Sequence, residues 1–431
     1  MNQFVQRLGF AACAVALSLA GCSAAGTPHP GAGATAPLGT RAAVMIHPDS
    51  PLRNFSVPNH VITWDWYDHS GEVNPTQAAP YLDYAAVQVN DANAFAAAGI
   101  KTVFYTDPNR SHVGTPMYTN DESTFAHDCN GVRITVGHRP VTTYQMDPRS
   151  PDLEPLWGAW VASVLGNGYN YNYVFEDGAN NIHNTSAVPC GYTLPSWTAA
   201  SNANDTLLGP GLIIYNGLGT LGDGYGQPPP SILLNPTAYG GMMEDCYGKD
   251  SVTNPLPKTT VWLNYETTEG TMAAIQKFFV CRGLSSFPAK TSLTRRIYQY
   301  ASYLLTYDPG SSAISEKYTT PSNLAVFPEE GLVALDPIIP SPAKIGKLKT
   351  SHWTYGRQYA SCYLWGTLVG ACAAVVNADV PTITHPFPWP GVYTHTLVLS
   401  GGGVLDGGTA SVSGPAPPTD VPGTSALIAF P

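Results

Sequence analysis

Asp65, Asp107, Asp147, Asp177 and Glu244 each close a short β-branched or aromatic run. Only 12% of the residues are charged, so five acids at equivalent places form a pattern. In Tyr173-Val-Phe-Glu-Asp-Gly178, period-two alternation puts Phe175 and Asp177 on one face and Glu176 on the other, and Gly178 permits a sharp turn. Tyr239-Gly-Gly-Met-Met-Glu244 ends another run, where two glycines let a ligand approach the backbone. Met and Tyr neighbours would desolvate Glu244 and raise its pKa. Two such carboxylates suit hydrolysis of a glycosidic bond: one attacks or activates water, the other protonates the leaving oxygen. Asp177 is the candidate nucleophile or base and Glu244 the candidate acid. The bland alternatives are a helix cap at Asp177 and a role for Glu244 or Asp245 in ordering the Cys246 loop.

Aromatic residues crowd the same run ends: Trp64, Trp66, Tyr67, Tyr105, Tyr144 and Tyr215. Aromatic faces stack on pyranose rings while Asp and Asn bind hydroxyls, although core packing explains some of these side chains. Trp64, Asp65, Trp66, Tyr105, Asp107, Tyr144, Asp147 and Tyr215 are the candidate substrate-binding residues. No G-x-S-x-G elbow and no H-E-x-x-H pair occurs, and His183 is a lone loop histidine. No cofactor and no metal is expected.

Runs ending in acids need a scaffold that gathers strand ends. The expected strands are His60–Asp65, Ile100–Asp107, Val141–Asp147, Asn172–Asp177, Leu212–Tyr215, Gly241–Glu244, a short one near Cys281, and Leu324–Phe327. Helical stretches at Leu82–Ala98, Leu156–Leu165, Thr260–Cys281 and Arg295–Tyr307 alternate with them. That alternation predicts an α/β fold, a (β/α)8 TIM barrel whose reacting groups lie at the C-terminal face of the strands. An open doubly wound sheet would want a Gly-rich turn after the first strand, and Trp64-Asp-Trp-Tyr-Asp68 is nothing like one. After about Gly346, β-prone runs separated by Gly and Pro predict a small C-terminal antiparallel β-sandwich domain. The expected division is 1–22 signal, 23–45 tether, 46–345 barrel and 346–431 β domain.

Composition narrows the partners. Twenty Lys+Arg against 30 Asp+Glu give a formal net charge of −10, which supplies no basic stripe for a phosphate backbone, so nucleic acid is excluded. A hydrophobic share of 44% is ample for a core and excludes long-range disorder. Met1–Arg7 carries one positive charge, Leu8–Ala20 is apolar but too short to span, and Leu19-Ala20-Gly21-Cys22 resembles a bacterial lipobox. The expected product is exported and lipid-anchored to the cell envelope through Cys22. Six cysteines then remain in an oxidising compartment, none in C-x-x-C spacing. Nearest-neighbour pairing would join Cys129 to Cys190, Cys246 to Cys281 and Cys362 to Cys372, one of 15 arrangements.

The chain resembles a bacterial family of TIM-barrel glycosyl hydrolases akin to the clan of α-galactosidase-like and endo-α-galactosaminidase-like barrels. Matching pieces are Val174-Phe-Glu-Asp177-Gly, Gly241-Met-Met-Glu244, and Arg295, Ile297, Tyr303, Leu304 and Leu305 in a last barrel helix. Phe327-Pro-Glu-Glu330, Tyr355-Gly-Arg357-Gln-Tyr359, Gly370 and Val375-Val-Asn377 follow, so the likeness covers roughly residues 55 to 430. It implies a glycosidase with a strand-four Asp as nucleophile or base and a later carboxylate as acid. Glu176 stands where the pattern has an apolar residue, which leaves Glu176 or Asp177 as the working acid, and Ala378 replaces the usual Pro. The resulting expectation is a glycoside hydrolase acting on an extracellular or envelope polysaccharide. The alternatives are a non-catalytic carbohydrate-binding lipoprotein on a degenerate barrel and an envelope scaffold using its β domain.

Overall fold

The computed structural model describes residues 62–65, 74–119, 121–136, 142–177, 189–204, 208, 211–216, 218, 237–244, 246–247, 259–283, 292–315, 326–340, 345–379, 382–404 and 407–431. Cys22, the signal, the tether and Trp66 lie outside them.

Eight strands form one parallel sheet in chain order: β1 Ile62–Asp65, β2 Tyr84–Val87, β3 Lys101–Thr106, β4 Tyr173–Glu176, β5 Ile213–Asn216, β6 Ala238–Glu244, β7 Phe278–Arg282 and β8 Ser312–Ser315. Helices α1 Pro75–Ala78, α2 Ala92–Ala97, α3 Leu153–Gly166, α4 Leu194–Asn204, α5 Thr259–Ala274 and α6 Leu293–Thr306 lie between them. The sheet is curled: β1 and β8, at its two ends, approach each other within 8 Å between Cα atoms. Among the described residues no hydrogen-bonded ladder joins those two strands.

Alternation gives the sheet two apolar faces, as parallel sheets require. Ala86, Val103, Phe175, Ile214, Met242, Phe278 and Val280 pack together on one face. Phe104, Val174, Ile213, Tyr215, Met243 and Phe279 turn the other way, toward Trp157, Val161, Trp262 and Leu304 of the helices.

Three elements differ from the sequence-based expectation. Tyr84–Val87 was expected to be helical, since the Ala-rich stretch 82–98 has no alternation; all four residues are buried, and a strand buried on both faces shows none. Thr143–Gln145 is not a strand of the parallel sheet. It pairs antiparallel with Arg110–His112 and Thr135–Val136 in a small side sheet inserted between β3 and α3. The eighth strand is Ser312–Ser315, because α6 ends at Thr306 and the chain returns within six residues.

A second, antiparallel sheet runs β9 Leu332–Pro337, β10 Thr354–Leu364, β11 Thr367–Asn377, β12 His395–Ser400, β13 Thr409–Val412 and β14 Ser425–Phe430. Its spatial order is β9-β10-β11-β14-β12-β13. Ala374 and Val376 join the main core, where α6 lies on β11 and β14. Val375 faces the other way and meets Phe387 and Val421 of a two-stranded ribbon, His385–Pro386 with Asp420–Val421. Disulfides join Cys129 to Cys190, Cys246 to Cys281 and Cys362 to Cys372.

Candidate functional site

The C-terminal ends of β3, β4 and β5, together with the Arg110–His112 strand of the side sheet, bring three side chains onto one carboxylate. The Tyr105 hydroxyl donates to Asp177 Oδ2 at 2.6 Å, Arg110 Nη2 donates to the same oxygen at 2.9 Å, and Asn216 Nδ2 donates to Oδ1 at 2.6 Å. All three donate to Asp177, and donors of this kind bond most strongly to a carboxylate. The sheet ladder extends one residue beyond β4, where the Asp177 N–H donates to the Thr106 carbonyl at 2.8 Å and fixes its backbone against β3.

Arg110 also donates through Nε to Asp107 Oδ2, so a single guanidinium ties both carboxylates together. The Asn109 N–H donates to Asp107 Oδ1 at 3.0 Å. The side sheet places that arginine: Arg110 is paired with Gln145, whose side-chain amide and the Met146 N–H both donate to the Asn109 carbonyl at 2.9 and 2.8 Å. From the helix layer, Trp157 Nε1 donates to Thr106 Oγ1 at 2.9 Å and anchors the end of β3. The Asp177 and Asp107 side chains remain 16% and 10% exposed, so both stay within reach of a ligand.

Electrostatics divide the labour. Burial raises the Asp107 carboxyl, Arg110 pulls it back and the Asp177 charge adds to the rise, leaving a pKa of about 7. That value suits a group that gives and takes a proton near neutrality. Burial and the Asp177 and Asp107 charges push the Tyr105 phenol well above its ordinary value, so it remains a donor. The same two carboxylates keep Arg110 protonated.

The other expected site residues fall in different places. Trp64 and Asp65 lie on β1 in register with Ala86 and Val87, and Glu244 ends β6 in register with Arg282; their side chains lie outside the description. Glu176 is 1% exposed on the face opposite Asp177. Tyr215 is fully buried on the helix-facing side, bonded to Thr237 at 3.0 Å, so it is a core residue and does not line the mouth. Tyr144 packs with Tyr118 and Phe125 in the side sheet, and Asp147 accepts from Tyr192 and the Arg149 N–H.

Arg110 and Asn216 escaped the sequence reading. Asn216 had a signal, because it follows Ile213-Ile-Tyr at a strand end just as Asp107 and Asp177 do. Arg110 had none beyond lying three residues after Asp107, since its direction depends on the side sheet.

No protein-family model and no curated protein sequence matches the chain. Among solved structures, it is similar to the glycoside hydrolase domain of PelA from Pseudomonas aeruginosa, at 12% identity, covering 62% of this chain and 98% of that chain with a TM-score of 0.41. It is also similar to TtGalA, an α-galactosidase from Thermus thermophilus in complex with stachyose, at 13% identity over 64% of this chain and 63% of that chain, TM-score 0.41. Ega3 from Aspergillus fumigatus, in complex with galactosamine, is similar at 12% identity over 65% and 96% of the two chains, TM-score 0.34.

Proposed function

We propose that this chain is a glycoside hydrolase built on a (β/α)8 barrel and acting on an extracellular or envelope glycan. The observation that carries the reading is the convergence of Tyr105, Arg110 and Asn216 on Asp177, beside an Asp107 carboxyl with a pKa of about 7. Asp177, held in one orientation by three donors, is the nucleophile, and Asp107 carries the proton to the leaving oxygen and later takes one from water. One guanidinium binding both carboxyls sets them close together, which suits a retaining reaction, where the pair stands about 5–5.5 Å apart. Glu244, at the end of β6, is the alternative acid. Export and lipid anchoring at Cys22 belong to the same proposal and explain how the enzyme would meet an envelope substrate.

The test is reducing-end release against a panel of polysaccharides and oligosaccharides, with Asp177→Asn, Asp107→Asn and Glu244→Gln beside the wild type. Asp177→Asn should lower release by about a hundredfold or more while the fold is kept, the scale on which such groups act. Asp107→Asn should do the same for substrates with poor leaving groups and less for activated ones. Release that survives Asp177→Asn would overturn the assignment, and loss in Glu244→Gln alone would move the acid to β6. Silence across the panel, with glycan retained in a pull-down, would favour a carbohydrate-binding protein.

A further inference from the structure

Beside the carboxylates, a cavity of about 320 Å³ opens at the ends of β2 and β3. Asp107 and Arg110 form one wall of it, so a molecule in the cavity touches the cluster. The rest is chiefly apolar: Val87, Val89, Phe104 and Met117, with Trp160 of α3 standing edge-on to Phe104 at 5.4 Å. Native interiors leave few voids larger than a water, and a space of this size lined by hydrocarbon is poorly suited to water.

Most of its polar groups are engaged elsewhere: the Tyr105 hydroxyl donates to Asp177, Arg110 to Asp107, and Thr106 Oγ1 accepts from Trp157. The Thr115 hydroxyl is spent within its own turn, on Ser111 and on the His112 carbonyl. The Gln88 amide and the His112 ring, by contrast, make no side-chain hydrogen bond among the described residues. The cavity therefore offers an apolar body with two hydrogen-bonding points along it and the Asp107–Arg110 pair at one wall. A second sugar would bring hydroxyls along every edge, which Val89, Phe104 and Met117 cannot satisfy, and each buried hydroxyl without a partner is costly. A planar hydrocarbon ring system with one or two oxygens fits better. About 150 Å³ of apolar cavity holds benzene, so twice that volume suits a bicyclic group.

We infer that this cavity is a subsite for an apolar aglycone, and that the glycoside cleaved at Asp177 carries an aryl or fused-ring leaving group next to the scissile bond. The inference rests on the glycosidase reading for the reaction, but the cavity can be tested by binding alone.

The probe is 4-methylumbelliferone, a fluorescent bicyclic aglycone with a hydroxyl and a carbonyl, titrated against the full chain. Saturable binding is expected. Val89→Trp, which fills the cavity, should weaken it about tenfold or more, and His112→Ala, a smaller change that removes one hydrogen-bonding point, should weaken it about threefold or more. Val89→Ala should keep it. Asp177→Asn should also keep it while abolishing hydrolysis of 4-methylumbelliferyl glycosides. No saturable binding, or equal binding in wild type, Val89→Trp and His112→Ala, would overturn the subsite. Release from unsubstituted glycans without probe binding overturns the subsite and leaves the glycosidase. Probe binding lost in Val89→Trp, with no glycoside in the panel hydrolysed, supports the subsite and counts against the glycosidase.

Discussion

At Asp107, burial acts against Arg110, and the balance leaves a carboxyl that is protonated in about half the molecules near pH 7. If that proton goes to the leaving group, activity has an alkaline limb near pH 7 and falls about tenfold per unit above it. Stability responds as well. The folded pKa lies above the ordinary 3.8, so between about pH 4 and 7 the native state holds a proton that the unfolded chain has lost. The associated stability is present below pH 4 and is lost as pH rises to 7, a change on the order of 3 kcal/mol. Asp107→Asn should flatten that window, read by urea unfolding at pH 4.5 and 7.5; parallel profiles for wild type and variant would contradict the assignment. Asp177, Asp107 and Tyr105 were legible because a residue at a strand end is defined by the local pattern. Arg110 and Asn216 complete the same cluster through contacts between elements, which no local pattern encodes.

Among the elements, α6 holds the two sheets together. Arg296 and Glu329 are both fully buried and ion-paired, the first on α6 and the second in the turn Pro328–Gly331 that leads into β9. Arg296 Nη1 donates to the Gly401 carbonyl at 2.8 Å, and its guanidinium lies 4.4 Å over the Phe327 ring. Removing one partner leaves a buried charge uncompensated. Arg296→Met should therefore cost about 3–5 kcal/mol in denaturant unfolding, and adding Glu329→Gln should restore part of it. If the double variant is as unstable as the sum of the singles, the pair is not coupled. The helix was legible as Arg295–Tyr307 from its apolar stripe, but not its near-complete burial, because the antiparallel sheet covers the face that would otherwise meet solvent. β2 was not legible for the opposite reason: four residues buried on both sides carry neither a strand nor a helix period.

Over the whole molecule, the junction of α5, α6 and the antiparallel sheet encloses Glu266 and Glu269, both fully buried. The Thr306 hydroxyl lies 2.9 Å from Glu266 Oε2 and 3.1 Å from Glu269 Oε2, while Tyr247 donates to Glu269 Oε2 at 2.6 Å. A single hydroxyl proton shared between two buried carboxylates serves each poorly, which disfavours charge on both at once. Burial raises Glu269 to about 8 despite Tyr247, Thr306 and Arg357, and burial plus the Glu269 charge raises Glu266 well above the usual range. Tyr298, Tyr303, Tyr355 and Tyr359 also face the pair and stay protonated. The stability tied to Glu269 is complete below about pH 4.5 and is lost as pH rises through 8. Above about pH 8, where Asp107 has given up its proton and adds little further slope, the remaining decline should be smaller in Glu269→Gln, measured as the unfolding midpoint at pH 8 and 9.5. An unchanged decline would place its origin elsewhere. The alternation of strands and helices was legible over most of the chain, whereas this junction was not, since its acids come from one helix and its covering groups from elements up to about ninety residues away. The Cys246–Cys281 bond encloses all of α5, which carries both acids, in a covalent ring. A protease that cuts the chain once anywhere inside that ring makes two fragments that still migrate as one species, so damage there is silent to size until the bond is reduced.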